Sequence, residues 1–145
     1  MTQEDKDLLL KDICSRLPYG VKVKDTYYNY NENYQTIWLL DLNAQKVRIF
    51  ADEDWQSIEY IKPYLFPLSS MTDEQKHDFY CRFIENDCDF DDFKEFYLDN
   101  GMWHKLLTSL DDIEAIIDWF NKNHFDYHNL IGKNLAIDCT NLNIY

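Results

Sequence analysis

Glycine and proline are scarce, three of each in 145 residues. That excludes a long flexible linker and a glycine-rich loop of the kind that cradles phosphate. Cysteine occurs four times (Cys14, Cys81, Cys88 and Cys139) and never as a C-x-x-C pair, so no zinc ribbon or disulfide framework is spelled out. No apolar run approaches the ~20 residues that a bilayer crossing needs. The first seventeen residues interleave acids and lysines with leucine, unlike the apolar core of a signal peptide. These absences lead to the expectation of a cytoplasmic protein with free thiols, no disulfide, and neither cofactor nor stoichiometric metal. Basic residues are also in short supply, 14 against 27 acids, for a net charge of −13. A field of that sign repels phosphate backbones and anionic lipid, so the sequence disfavours direct nucleic-acid and membrane binding and suits a basic protein partner.

Aromatic residues are abundant: 11 Tyr, 9 Phe and 4 Trp. With 46% hydrophobic residues the chain has material for a real core, and its length fits one domain over residues 1–145. Residues 2–17 read as a helix, opened by a Thr2/Asp5 capping box and stopped by Pro18, with Leu9, Leu10, Ile13, Cys14 and Leu17 on one face. From Gly20 the period becomes two. Val21 and Val23 alternate with Lys22 and Lys24, residues 36–42 read as a central strand, and Asn43-Ala44 as a turn. Val47 and Ile49 alternate with Lys46 and Arg48, and Ile58 and Tyr60 suggest a short fourth strand before Pro63. Thr72 and Gln75 cap a second helix carrying Phe79, Tyr80, Phe83 and Ile84. Ser109 with Asp112 opens a third, running to about residue 123, whose inner face is expected to hold Ile113, Ile116, Ile117 and Phe120. Residues 135–137 suggest a last strand. The predicted fold class is α+β, an antiparallel β-meander of about four short strands packed by about three helices.

Three stretches carry a resemblance: Arg16-Leu-Pro-Tyr-Gly-Val-Lys-Val23; Lys62-Pro-Tyr-Leu65 with Pro67 and Ser69-Ser-Met-Thr72; and Asp118-Trp-Phe-Asn121 with His124-Phe-Asp-Tyr127, Leu130-Ile131 and residues 133–136. Together they cover about a quarter of the chain, and they resemble a group of small uncharacterised proteins encoded by phages and mobile elements of Bacteroidales. The chain departs from that group's pattern at His128-Asn129 and at Gly132-Lys133-Asn134. The resemblance implies a phage or mobile-element origin and an intracellular setting, and it brings no catalytic residue with it.

Motifs that carry chemistry are thin. His124 and His128 stand four apart, a spacing that serves zinc on a helix, but neither the other histidines nor the cysteines complete a ligand set. Asp87-Cys-Asp89-Phe-Asp91 opens like a calcium loop, yet Asp92 and Leu98 occupy the places of its glycine and its bidentate glutamate. No nucleophile elbow occurs, and Cys14 and Cys81 are expected to be buried, inert thiols in apolar helical faces. Tyr27, Tyr28, Tyr30 and Tyr34 crowd a polar stretch and are expected to pack over the core. The one compositional anomaly is residues 85–99, with seven acids against one lysine. Phe90, Phe93, Phe96 and Tyr97 recur there at helical spacing, which predicts an aromatic face inward and an acidic ridge outward. That ridge, through Asp87, Asp89, Asp91, Asp92 and Glu95, is the candidate partner-binding site. The function expected from the sequence is therefore a non-enzymatic accessory protein that binds another protein. The alternatives are an acidic mimic of nucleic acid that inhibits a DNA- or RNA-binding protein, and a small metal-independent enzyme.

Overall fold

The computed structural model describes residues 1–27, 34–49, 55–84, 89–95 and 112–145, with the side chain of residue 38 outside that description. The chain is mixed α+β with a mostly antiparallel sheet. Helix α1 (Gln3–Arg16) has the expected capping box: Thr2 Oγ1 accepts from Asp5 N, and Asp5 accepts from Thr2 N. Strands β1 (Lys22–Asp25), β2 (Gln35–Asp41), β3 (Lys46–Ile49) and β4 (Trp55–Ser57) follow as an antiparallel meander. The β2–β3 turn is held by Asp41, whose carboxylate accepts from the backbone of Asn43 and Ala44.

The count of about four strands needs correction, since the described residues form a six-stranded sheet in the order β4-β3-β2-β1-β5-β6. Residues Ile58–Tyr60 are a 3-10 turn, and β5 (Ile61–Leu65) comes after it, with Pro63 inside the strand. Proline is tolerated there because of the register. Thr26 N donates to Tyr60 O, which makes 26/60 and 24/62 hydrogen-bonded pairs and Val23/Pro63 a non-bonded one. The missing N–H therefore falls on the far side of β5, where the parallel strand β6 (Ile137–Asp138) begins its pairing only at Tyr64. Three residues join β4 to β5, four places away in the sheet. A flat sheet would separate them by about 19 Å, beyond the roughly 14 Å that the link can span, so the sheet curls. A register shift between Ile37 and Leu39 marks a bend in β2, which the two halves share.

The curl encloses Val21, Val23, Ile37, Val47, Ile49, Ile58, Ile61 and Leu65, with Leu9 and Ile13 of α1 and with Leu130, Leu135 and Ala136 of the C-terminal stretch. Every member is aliphatic. A second cluster lies among α2 (Asp73–Phe83), α3 (Phe90–Phe93) and α4 (Ile113–Lys122), and is built on Phe79, Phe93, Trp119, Phe120 and Phe125 with Met71, Ile84 and Ile116. Its rings meet edge-on or stacked, Phe79 with Trp119 at 5.1 Å and Trp119 with Phe125 at 5.7 Å between centroids.

Helix α4 buries Ile116 and Phe120 as expected but turns the rest of its expected face outward. Ile113 is 46% exposed and Ile117 half-buried, while Ile116, Trp119, Phe120 and Asn121 point inward. Asp112 caps the helix by accepting from Ala115 N, and Ser109 lies outside the described residues. Helix α1 also departs from expectation. Leu17 is exposed, and its place inside is taken by two charged residues, Asp12 and Arg16, both fully buried. Arg16 Nε and Nη2 donate to the Asp12 carboxylate at 2.7 and 2.9 Å, and Nη2 also donates to Phe125 O at 2.8 Å. The guanidinium lies over the Tyr127 ring. This ion pair sits where the aliphatic and aromatic clusters meet. The stretches that carry the resemblance touch one another: Arg16 bonds Phe125, Tyr19 donates its hydroxyl to Asp118, and Lys62 donates to Asn134.

Candidate functional site

Thr72 and Gln75 form the capping box that starts α2, and this places Asp73 and Glu74 on an exposed first turn. Asp89 caps α3 by accepting from Asp92 N at 2.9 Å. Phe93 is buried beneath, against Phe79 and Tyr80. Within residues 89–95 the expected amphipathic arrangement is present: Asp89, Asp91, Asp92 and Glu95 are exposed and Phe93 is inside. Asp87 lies outside the described residues, as do Phe96 and Tyr97. Lys94 reaches Asp73 at 3.3 Å, tying α3 to the start of α2, and its hydrogen bond and charge hold the Asp73 carboxyl below the usual range. The acidic surface thus gathers Asp73 and Glu74 with the α3 acids. Sequence distance hid that join, and a helix-capping signal preceding two acids was the available clue.

A second feature went unseen in the sequence. Between α2 and α4 lies an open cleft of about 480 Å³, walled by Asp78, Arg82 and Phe83 on one side and Ala115, Asp118, Trp119 and Lys122 on the other. Asp78 accepts from Trp119 Nε1 at 2.9 Å and from Arg82 Nε at 2.8 Å. The indole hydrogen bond, ahead of the Arg82 pair, lowers the Asp78 pKa. The bond from Trp119 to Asp78 fastens α2 to α4.

Two arrangements have the outline of catalytic pairs. His128 Nδ1 donates to Asp12 at 3.0 Å, so a buried carboxylate orients an imidazole. Burial alone would push the Asp12 carboxyl up, but bonds from His128 and Arg16 outweigh it and hold it low. No hydroxyl or thiol is bonded to that imidazole among the described residues. Cys81 Sγ lies 3.5 Å from His77 Nδ1 on the outside of α2, so the expectation of a buried Cys81 is corrected. Phe79 and Ile84 take the buried positions of that helical stretch. Cys14 is half-buried and its thiol pushed up by desolvation; Cys139 is buried and pushed up to about 12 by the same cause. Cys88 lies outside the described residues.

His124 and His128 are not two imidazoles on one helix face, since both follow the end of α4. His124 has φ +57° and stacks on Tyr145 at 3.7 Å, whereas His128 faces Asp12. Among the described residues no group of three His, Cys, Asp or Glu is placed to hold a metal ion, and no helix is long and apolar enough to cross a membrane. Tyr27 and Tyr34 are exposed rather than packed over the core; Tyr28 and Tyr30 lie outside the described residues. Comparison with family models, curated proteins and solved structures finds no match to this chain.

Proposed function

We propose that this chain is a non-enzymatic accessory protein, of the kind carried by phages and mobile elements, that acts by binding a basic protein. The observation that carries the reading is the exposed acidic surface of Asp73, Glu74, Asp89, Asp91, Asp92 and Glu95, seated on an inward-turned Phe93. Asp89 and Asp73 have folding roles as a helix cap and a partner of Lys94, but Glu74, Asp91, Asp92 and Glu95 add like charges beside them that repel one another. Against a cationic partner the same field speeds encounter and makes the rate strongly dependent on salt. The test begins with a partner captured from host lysate and its affinity for the intact chain. Asp89→Asn, Asp91→Asn, Asp92→Asn and Glu95→Gln are then combined, the asparagine at 89 keeping the helix cap. The thermal melt should stay nearly unchanged while binding weakens, most of all at low salt. Affinity equal to the parent at every ionic strength would overturn the proposal.

A further inference from the structure

The lysines of this acidic chain are not spread evenly. Along β1 the inward residues are Val23 and Asp25, so Lys22 and Lys24 face outward. Register pairs Lys22 with Thr36 on β2 and Lys24 directly with Lys62 on β5. Extending the β1–β2 register by one position sets Tyr34 opposite Lys24. Lys22 Nζ lies over the Tyr34 ring at 5.5 Å and donates to Thr36. Tyr60 ends the 3-10 turn that leads into β5, and its ring is tilted at 52° against Tyr27, with centroids 4.9 Å apart. Tyr34 is 40% exposed and Tyr60 36%.

Two features mark this face as more than solvated surface. Lys24 and Lys62 form a like-charge pair directly across two strands, an arrangement that costs stability. Among the described residues, Lys22, Lys24 and Lys62 have no carboxylate within ion-pair distance, in a chain with almost twice as many acids as bases. Lys22 and Lys62 donate only to the neutral side chains of Thr36 and Asn134, and the exposed rings of Tyr34 and Tyr60 flank the three cations.

We infer that the outward face of β2, β1 and β5 binds single-stranded nucleic acid, with Lys22, Lys24 and Lys62 taking phosphates and Tyr34 and Tyr60 taking bases. Unpaired bases are required because only they free a π-face for stacking. A duplex would need an element that enters a groove, and this face is a sheet. An acidic peptide would use the lysines and leave the rings without a matching group. The net charge of −13 does not forbid the contact, because at physiological salt the Debye length is about 8 Å and a bound strand senses mainly the charges beneath it. This inference concerns a face separate from the acidic surface of α2 and α3 and stands or falls independently of it.

The experiment is anisotropy of a fluorescent oligothymidylate of about 15 nucleotides titrated with the full chain across a salt series. Binding should weaken with salt at a log–log slope of about −2, the value for three phosphates neutralised on a single strand. Lys24→Gln with Lys62→Gln should bring the slope toward about −0.7 while leaving the melt unchanged or raising it, since the like-charge pair is gone. Tyr34→Ala and Tyr60→Ala should each weaken binding about tenfold with the slope retained. No binding at low salt would overturn the inference, as would binding that none of these variants alters. Equal displacement by a polyglutamate peptide of matching length would also overturn it, in favour of an acidic protein as the occupant.

Discussion

The two clusters of buried residues solve the same problem with different side chains. Inside the curled sheet every member is aliphatic, and β-branched residues dominate, because strands at short spacing pack small, stiff side chains densely. Between α2, α3 and α4 the work is done by Phe79, Phe93, Trp119, Phe120 and Phe125. Few and short helical elements must fill a wide space there, and each ring buries a large area with few rotatable bonds. The comparison teaches that the aliphatic cluster tolerates small trimming while the aromatic one depends on single large residues. Arg16 belongs to neither, and it links them by donating to Asp12 on α1 and to the backbone of Phe125.

That link is the place to break the comparison with the largest effect. Arg16→Ala leaves the Asp12 carboxylate buried without its main partner and should cost about 3–5 kcal/mol in urea denaturation, with both clusters lost in one transition. Two separate transitions would show that the clusters are held independently of the pair. Asp12→Leu with Arg16→Met should recover most of that loss, because apolar residues of similar volume remove the desolvation cost.

Phe120→Ala should then cost about 3–5 kcal/mol, against about 0.5–1.5 kcal/mol for Ile49→Val in the sheet. A loss at Phe120 no larger than that at Ile49 would remove the contrast between the clusters.

A smaller effect comes from pH. His124 is buried near Arg16 and Lys22, and burial first, then those charges, lower its pKa from 6.5 to about 4. The unfolded chain then binds more protons than the folded one between those values, so stability rises with pH from about 4 to 6.5 and is lost as pH falls through that window. Screening leaves about 1–2 kcal/mol of this. His124→Asn keeps the left-handed backbone that asparagine tolerates, and should flatten that part of the pH profile. An unaltered profile would place the acid sensitivity elsewhere.

The smallest effect expected is at the outer edge of α4. Ile113→Asp should change stability by less than about 0.5 kcal/mol, whereas Ile116→Asp should unfold the chain. Unfolding by both substitutions would restore the face expected from periodicity.

Local chemistry was legible in the residues themselves. Both capping boxes, the Asn43-Ala44 turn, the alternation in β1 and β3 and the inward Phe93 follow from interactions within a few positions along the chain, where spacing and side-chain type decide the outcome. The acidic surface was visible only in part, because Asp73 joins it through Lys94 and that contact spans twenty-one positions.

The remainder was decided by tertiary structure. Periodicity places apolar residues on a face but does not say how far a neighbour reaches, so Ile113 was expected inside and Trp119 was overlooked. Pro63 reads as the end of a strand until the register shows its nitrogen turned away from β1. Nothing local marks Asp12 and Arg16 as buried, and the groups that satisfy them, the carbonyl of Phe125 and the imidazole of His128, lie more than a hundred positions on. The sequence alone determined a small, acidic, mixed α+β chain with defined helix starts. Which charges lie inside, and which lysines gather on one sheet face, depended on strand pairing and packing between distant segments, whose energies no local pattern records.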